Sequence, residues 1–291
     1  MIRAVESDAD LDAWVAVKNA VVPNEPVTAE QVRNSNEEGR LLLLAEEDGV
    51  VSGCAIAGLS NFGGKAFIAV RVLPEFRRRG LGRALFDVCA DHARSLGRDG
   101  VNAFVYADEP HSIAFAEQLG LTDVDYQLEQ VRQVGDEPPV ESDVQVRALG
   151  ADREALLARV WEEVAQEAYE DLPLPGEVTY KQDVFLREEA TRPDGSFVAL
   201  EGDAIVGYAG LVEHANGDAI AEHGLTAVRR DRRRRGIARA LKRAQLHWAA
   251  QNGVAELVTW TQRGNEGMQA LNRSLGYVDK SKVITFQGPL P

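Results

Sequence analysis

Two short segments of the chain combine the residue types that bind anions. The first reads RRRGLG at residues 77–82, and the second reads RRRRGIA at residues 232–238. In each segment an apolar stretch precedes the arginines, and an apolar helical pattern follows the glycine. Glycine lets the backbone approach a ligand closely, while the N–H groups and dipole at a helix N-terminus favour negative charge. Each segment therefore predicts an anion site.

The two segments are part of a repeat that covers the chain. Gly80 and Gly236 lie 156 positions apart, and the Leu-Gly pair at 119–120 recurs at the same spacing at 275–276. Nearer the start of each copy, Ile2 and Val146 are only 144 positions apart. The increase indicates an insertion in the second copy, near residues 169–180. A repeat of this length is typical of two homologous domains, because solenoid repeats run ~20–50 residues.

The repeat predicts an N-terminal domain at 1–134 and a C-terminal domain at 144–291, joined by an unpacked linker at 135–143. In both copies, periodicity and turn residues predict a strand, helices, antiparallel strands and then β-α-β-α-β. This order predicts an α/β (α+β) fold, with a mixed, mostly antiparallel sheet flanked by helices in each domain. The first helix of the second copy is predicted to be continuous over 152–168.

Composition excludes several classes of protein. The formal net charge is −14, which repels nucleic acid and anionic membranes. No apolar run approaches the ~18 residues of a membrane-spanning helix, and the chain starts directly with a predicted strand. Cys54 and Cys89 lie on apolar faces, so we expect buried reduced thiols and no metal site. These features together predict a cytoplasmic protein.

The two anion segments resemble the pyrophosphate loop, Q/R-x-x-G-x-G/A, of the GNAT superfamily of acyl-CoA-dependent N-acetyltransferases. The matching residues are Arg77, Gly80 and Gly82 in the first copy and Arg233, Gly236 and Ala238 in the second. The resemblance covers nearly the whole chain, as a tandem pair of the kind familiar in actinobacteria. It implies two GNAT-like domains with acetyl-CoA as cosubstrate. The loop N–H groups would hold the pyrophosphate, and the preceding strand would pair with the pantetheine arm.

The same resemblance implies a set of CoA-binding residues in each copy. In the second copy they are Thr226, Ala227, Val228, Arg233, Arg234, Arg235, Gly236, Ile237, Ala238, Arg239, Asn265 and Asn272. In the first copy they are Val72, Arg77, Arg78, Gly80, Leu81, Gly82 and Arg83. Asn265 is open to a second interpretation, as no more than the N-cap of the helix that follows it.

The two copies differ at the position of the general base. In several branches of the superfamily this base is a Glu fourteen residues before the first glycine of the loop. That position holds Glu222 in the second copy and Ala66 in the first. Strand alternation places Glu222, Gly224 and Thr226 on one face and His223, the rival base, on the other. The resemblance thus implies a catalytic second domain and a degenerate first one, unless Glu222 is only a surface carboxylate.

Both copies also lack the usual general acid. Many members of the superfamily carry a Tyr four residues before the last glycine, where it protonates the CoA thiolate. Here those positions hold Ala116 and Asn272, which sets the chain apart from the members that keep this Tyr. Tyr169, Tyr180 and Tyr208 are candidate substitutes.

The function that these residues favour is transfer of an acetyl group from acetyl-CoA to a primary amine of a small molecule, with Glu222 as base. Carboxylates at 162–171 are expected to attract a cationic acceptor, with a solvated helix face as the alternative. The competing hypothesis is a non-catalytic acyl-CoA sensor or scaffold. A nucleic-acid-binding role for the arginines is opposed by the net charge. The sequence leaves open the amine, the acyl chain length and the oligomeric state.

Overall fold

The computed structural model describes residues 1–23, 25–35, 39–60, 64–173 and 180–290. The chain forms two compact units. The first contains Met1–Asp125 and the end of the chain from Val283, and the second contains the described residues from Tyr126 to Lys282.

The elements follow the same order in both copies of the repeat. Those of the first copy are β1 (Ile2–Ala4), α1 (Asp8–Val21), α2 (Ala29–Asn34), β2 (Leu41–Glu47), β3 (Val50–Leu59), β4 (Ala66–Val72), α3 (Leu81–Ser95), β5 (Gly100–Tyr106), α4 (Pro110–Gln118) and β6 (Thr122–Gln133). Those of the second copy are β7 (Gln145–Ala148), α5 (Arg153–Val160), a π-helical turn (Trp161–Ala165), α6 (Gln166–Glu170), α7 (Gln182–Glu188), β8 (Phe197–Glu201), β9 (Ala204–Glu213), β10 (Ile220–Val228), α8 (Ile237–Gln251), β11 (Glu256–Gln262), α9 (Glu266–Ser274) and β12 (Val278–Pro289).

Each unit contains a mixed sheet, as predicted. The strand order of the first unit is β1-β2-β3-β4-β5-β12, and that of the second unit is β7-β8-β9-β10-β11-β6. All these neighbours are antiparallel except β4 with β5 and β10 with β11, which are parallel. Parallel neighbours need a crossover connection, and α3 and α8 provide it. These two parallel pairs carry the predicted anion loops.

The last strand of each copy pairs within the unit formed mainly by the other copy. In the first unit β12 lies beside β5, and the side chain of Gln287 donates a hydrogen bond to Asn102 at 3.0 Å. In the second unit residues 127–133 of β6 pair with the whole length of β11. The compact units therefore divide the chain at different places from the repeat boundaries at 134 and 144. The repeat cannot reveal this exchange, because β6 and β12 are equivalent strands with equivalent patterns.

Helices cover both faces of each sheet. In the first unit α1 and α2 enclose a core around Trp14, and α3 and α4 enclose one around Phe86. In the second unit α5, the π-helical turn and α7 pack around Trp161, whereas α8 and α9 pack around Leu246. Every one of these four side chains is at least nine-tenths buried. The two layers of helix hold the sheet residues of the site in place.

Several local predictions are corrected by the structure. The helix predicted over 152–168 is interrupted by the π-helical turn, a feature frequent at functional sites. The helix α7 was not predicted. The linker at 135–143 does pack: Glu137 forms an ion pair with Arg132, and its carbonyl oxygen lies 2.8 Å from Nδ1 of His247.

The prediction of two buried reduced thiols is confirmed. Cys54 and Cys89 are free thiols, and burial raises the pKa of both to about 12. Within the described ranges no group of His, Cys, Asp or Glu side chains could hold a metal ion. A search of those same ranges finds no helix with the length and apolar character needed to cross a membrane.

Candidate active site

The two anion loops have the same backbone shape. Arg78 and Gly80 have φ of +65° and +84°, and Arg234 and Gly236 have φ of +64° and +81°. Both glycines are the N-cap residue of the following helix, and neither cap has a side-chain hydrogen bond. Because glycine has no side chain to cap the helix, the first N–H groups of α3 and α8 are available to a ligand. Helix N-termini bind phosphate through such groups. Space above each glycine is open, since an added Cβ would meet nothing within 4 Å.

One arginine of each loop, Arg77 or Arg233, anchors the loop to the preceding strand. Nε of Arg77 donates to the carbonyl of Val72 at 3.0 Å, and Nε of Arg233 donates to the carbonyl of Val228 at 2.9 Å. These bonds tie the loop to the end of the strand that precedes it. The structure thus gives Arg77 and Arg233 a supporting role beyond the predicted contact with CoA.

The other predicted loop residues differ in burial. Ile237 is buried against β9, where a Cβ on Gly207 would lie 2.8 Å from its side chain. Glycine is therefore required at 207 for the start of α8 to approach the sheet. Arg83 pairs with Asp87, and Arg239 donates to Ser274 at 3.0 Å. The arginines at the first positive-φ position of each loop are exposed, as is the next arginine of the second loop; they are Arg78, Arg234 and Arg235.

A gap opens beside the strand that leads into each loop. The strands β10 and β11 pair only from Ile220 to Glu222, although β10 continues to Val228. In the first unit β4 and β5 pair only at Ala66 and Phe67. Beyond these points one edge of β10 or β4 remains paired with its antiparallel neighbour, and the other edge faces the gap. An extended ligand could pair with that free edge.

The strand β10 contains a bulge that the first unit lacks. His223 pairs with Leu211 of β9 and Thr226 pairs with Ala209, so three steps along β10 match two along β9. The pairing of β4 with β3 has no such shift. A bulge reverses the alternation of faces beyond it. The expectation that Thr226 shares a face with Glu222 is therefore wrong; the register places Thr226 with His223. The hydroxyl of Thr226 is buried without a hydrogen-bond partner among the described residues.

Glu222 lies at the last paired position of β10, opposite Val258 of β11. It is half-buried, and burial together with the charge of Glu129 raises its pKa. A raised pKa makes a carboxylate a stronger proton acceptor. The bulge also shifts the equivalence of the two strands by one residue: Phe67 lies opposite Asn102 as Glu222 lies opposite Val258, so Phe67 and not Ala66 corresponds to Glu222. Ala66 is fully buried, and neither residue carries a titratable group.

Glu129 reaches the neighbourhood of Glu222 because of the strand exchange. It lies on β6, which comes from the first copy of the repeat, and it pairs with Trp260 of β11. Its carboxylate accepts hydrogen bonds from Nζ of Lys280 at 3.0 Å and from Oγ of Ser281 at 2.6 Å. The sequence alone did not indicate Glu129, because the repeat predicts that each copy completes its own sheet.

His223 lies on the opposite face from Glu222, as predicted. It is 6% exposed, and its Nε2 is 2.6 Å from the hydroxyl of Tyr277. Burial and the nearby charge of Lys242 lower its pKa well below the usual value. Lys242 itself is 1% exposed, and burial lowers its pKa to about 7. His223 is thus a neutral group enclosed beneath α8, which leaves it poorly placed as a base for an incoming amine.

A second carboxylate, that of Glu189, holds the bulge. Glu189 follows α7, and its carboxylate accepts the N–H of Leu225 at 3.0 Å and the hydroxyl of Tyr208 at 3.0 Å. Two glycines make room for it, since a Cβ on Gly210 or on Gly224 would overlap Oε2 of Glu189. Burial raises the pKa of Glu189, while the two donated hydrogen bonds oppose that shift.

The sequence does contain a signal for this contact. Gly210 and Gly224 lie inside two apolar strands, and a glycine inside a strand often marks a bulge or a close approach. Without the prediction of α7, nothing in the sequence identified Glu189 as the group that approaches. Arg153 positions the end of α7 by donating to the carbonyls of Leu186 at 2.8 Å and Ala190 at 2.9 Å.

The two asparagines predicted to contact CoA have different surroundings. Asn265 is the N-cap residue of α9, yet its side chain makes no capping hydrogen bond. Asn272 is fully buried, and its Nδ2 donates to Oε1 of Gln130 on β6 at 2.9 Å. Its Oδ1 is also buried and has no partner within the described ranges.

The candidate substitutes for the general acid lie in one aromatic cluster. Tyr169 and Tyr180 stack with ring centroids 3.8 Å apart, and Phe185 packs edge-on against Tyr169 and Tyr208. Tyr208 is fully buried, and burial raises its pKa well above the usual value. Its hydroxyl is already used by Glu189.

Three of the carboxylates predicted to attract an acceptor are instead paired with arginines in or just before the loop. Arg230 contacts Glu167, Glu170 and Asp171, and Arg233 lies 2.7 Å from Asp171. The Arg230 guanidinium is the main cause of a fall in the pKa of Asp171 to about 2. These ion pairs neutralise the acidic segment. The predicted insertion near 169–180 continues into residues 174–179, which lie outside the described ranges.

Comparison with known proteins gives a consistent result. The model of the acetyltransferase (GNAT) family matches residues 10–121 and again residues 160–277. A mycothiol acetyltransferase of Thermomonospora curvata is 26% identical over 294 residues, which cover 98% of this chain and 96% of that protein. A mycothiol acetyltransferase of Geodermatophilus obscurus is 27% identical over 262 residues, covering 86% of this chain and 82% of that protein.

Solved structures show the same fold. A GCN5-related N-acetyltransferase from Sphaerobacter thermophilus has a TM-score of 0.78 at 22% identity and covers 100% of this chain and 95% of its own. A tandem GNAT protein from the clavulanic acid biosynthesis pathway has a TM-score of 0.72 at 19% identity, with coverage of 100% and 98%. At these identities the structural likeness establishes the tandem fold.

The contact between Glu189 and the bulge can be tested by a double-mutant cycle. We expect Gly224→Ala to cost about 1–3 kcal/mol, because the new Cβ overlaps the carboxylate. Glu189→Ala should cost about 2–4 kcal/mol, because it leaves Leu225 N–H and the Tyr208 hydroxyl unpaired. The double variant should lose less than the sum, since the smaller side chain at 189 vacates the space that the new methyl group needs. Urea unfolding measures all three free energies of unfolding.

Gly267→Ala is the matched control, because space around Gly267 is open and a Cβ there meets nothing within 4 Å. We expect that variant to be no less stable than the parent. Strict additivity of Gly224→Ala and Glu189→Ala would contradict the contact.

Proposed function

The chain belongs to the acetyltransferase (GNAT) family, and from this premise we propose that it transfers the acetyl group of acetyl-CoA to a primary amine of a small molecule, with Glu222 as the general base. The observation that carries the proposal is the position of Glu222. It is a half-buried carboxylate with a raised pKa, located where β10 and β11 separate. In the first unit neither Ala66, fourteen residues before the loop glycine, nor Phe67, opposite Asn102, can accept a proton, so we propose that the second unit is the catalytic one.

The residues around the gap fit acetyl-CoA. The N–H groups at the start of α8 and the exposed Arg234 and Arg235 would hold the pyrophosphate. The free edge of β10 from Thr226 to Val228 would pair with the pantetheine arm. The unpartnered hydroxyl of Thr226 adds a hydrogen-bonding group at the same edge. Acetyl-CoA supplies the acetyl group as a thioester, which is already activated for attack by nitrogen.

The chemistry that we propose for Glu222 is a proton transfer. An amine reaches the site as an ammonium ion, which has no lone pair for attack. Glu222 accepts one proton, directly or through one water, and the neutral nitrogen can then attack the thioester carbon. The new C–N bond forms as the C–S bond breaks, and the departing thiolate takes up a proton. Because Glu189 already accepts the N–H of Leu225, another N–H on the free edge of β10 must stabilise the oxyanion.

The acceptor side of the proposal also rests on charge. The carboxylate of Glu222 is the charge at the gap that would attract a cationic acceptor, whereas the nearby carboxylate of Glu129 is already paired with Nζ of Lys280. The acidic segment around Asp171 cannot play this part, because Arg230 and Arg233 neutralise it. The relatives named mycothiol acetyltransferase support a small-molecule acceptor, and we propose an acceptor of that kind here.

Replacement of the base gives the first test. We expect Glu222→Gln to lower kcat by about two to four orders of magnitude, the usual scale for loss of a general base, while the affinity for acetyl-CoA stays the same. Steady-state thiol release against an amine panel measures kcat, and calorimetric titration measures binding. Unchanged turnover would rule out Glu222 as the base.

The pH profile gives a second, independent test. Because the pKa of Glu222 is raised above 4.5, kcat/KM should fall on the acid side at a pH above that of an ordinary glutamate. Glu129→Gln removes the neighbouring negative charge, which lowers the pKa of Glu222 and should move the acid limb to lower pH. The matched control is Glu256→Gln on β11, which makes the same change in charge at a carboxylate that bonds Gln133. An acid limb that does not move in Glu129→Gln would show that the two carboxylates are not coupled.

A further inference from the structure

Two cationic side chains of the first unit end in buried nitrogen atoms without partners. Lys18 lies in the last turn of α1 and is 4% exposed, and Arg71 lies on β4. Both Nζ of Lys18 and Nη1 of Arg71 are buried and have no hydrogen-bond partner in the part of the chain that the structure describes. The guanidinium of Arg71 lies over the ring of Trp14, which is one helical turn before Lys18 on α1, and burial together with the charge of Arg71 lowers the pKa of Lys18. Such groups are costly, because Nζ of Lys18 and Nη1 of Arg71 have lost their hydration without a hydrogen bond, although the guanidinium also contacts the thiol of Cys54.

The groups that surround the two cations supply little negative charge. The thiol of Cys54 lies opposite Arg71 in the pairing of β3 with β4, and burial raises its pKa to about 12, so it stays neutral. Glu25 is the carboxylate whose charge acts on both cations, but its residue is exposed and it accepts the hydroxyl of Tyr106. The cluster therefore holds two positive charges inside and one negative charge at its rim.

The rest of the cluster is apolar. The guanidinium of Arg71 lies over the ring of Trp14, 5.8 Å from its centre, and Val17 packs in the same core. The side chain of Asn19 holds the connection between α1 and α2 over the end of α1, by two hydrogen bonds to the backbone of Val27 at 2.8 and 2.9 Å.

The second unit shows that the fold does not require Arg71. Arg71 and Ala227 occupy equivalent positions, each directly before the valine whose carbonyl accepts a hydrogen bond from the loop arginine. Arg71 pairs with Cys54 in the first unit, and Ala227 pairs with Tyr208 in the second. Ala227 is buried and neutral. The buried arginine is thus particular to the first unit.

We propose that Lys18 and Arg71 form a binding site for the carboxylate group of a small organic monocarboxylate. One negative charge between the two nitrogens balances the interior, whereas a phosphate dianion would overcompensate it. The planar fork of a guanidinium matches the two oxygens of a carboxylate, and Nζ of Lys18 adds a third donor. The apolar side chains of Trp14 and Val17 suit an organic body rather than a bare inorganic ion. This site is separate from the acetyl transfer proposed for the second unit.

The test is the thermal stability of the whole protein in sodium butyrate, compared with sodium chloride at the same ionic strength. A ligand that binds only the folded state raises Tm, by roughly 5 °C at a butyrate concentration a hundred times its Kd. We expect this rise in the parent protein and its loss in Lys18→Met and in Arg71→Ala, which copies the second unit. Lys18→Arg, which keeps the charge, should keep a rise. The control Arg94→Met removes an exposed charge from α3 and should respond like the parent.

Calorimetric titration with butyrate provides a direct measurement on the same variants. We expect saturable heat in the parent and none in Lys18→Met or Arg71→Ala. Absence of any butyrate effect on the parent would overturn the proposal, and so would an equal effect in Lys18→Met and the parent. Inorganic phosphate that raises Tm as much as butyrate would overturn the assignment to a monocarboxylate.

Discussion

The contact between the carboxylate of Glu189 and the backbone N–H of Leu225 is the interaction on which the second unit depends. It holds the extra residue of β10 in place, and that residue changes which side chains face the gap beside β11. Without the bulge, Thr226 would lie on the same face of the sheet as Glu222, whereas it now lies on the face of His223. The fold provides space for the carboxylate by placing Gly210 and Gly224 in neighbouring strands.

The repeat shows which parts of the architecture are shared and which have diverged. Both loops keep the left-handed backbone at two positions. In both, an arginine, Arg77 or Arg233, donates a hydrogen bond to the end of the preceding strand. The side chains on the strands before the loops differ: Glu222 corresponds to Phe67, and Ala227 corresponds to Arg71. The two copies thus keep the same loop backbone and present different side chains beside it.

The exchange of strands gives the first copy a role in the site of the second unit. Glu129 comes from the first copy, yet it lies close enough to Glu222 to raise its pKa. Gln130, the next residue, bonds Asn272 on α9. The first copy therefore completes the sheet of the second unit, because β11 would otherwise present an unpaired edge.

The sequence was sufficient for the features that depend on local pattern. The repeat, the two loops, the helices that follow them and the opposite faces of Glu222 and His223 all follow from spacing and periodicity. It was not sufficient for features that depend on which distant segments meet. The bulge in β10 needs Glu189 from a helix that has no strong pattern, and the place of Glu129 needs a choice between two equivalent strands.

The central claim, that the second unit performs the transfer, is tested most directly by a matched pair of substitutions in the two loops. Gly80 and Gly236 have nearly the same φ and the same open space, so glutamate at either position brings the same strain. Glutamate also places a negative charge where each loop would hold a pyrophosphate. The measurement is turnover of acetyl-CoA by Gly80→Glu and Gly236→Glu, each confirmed as folded by a thermal melt. The account predicts that Gly236→Glu abolishes turnover and that Gly80→Glu retains it. Loss of turnover in Gly80→Glu with activity retained in Gly236→Glu would contradict it.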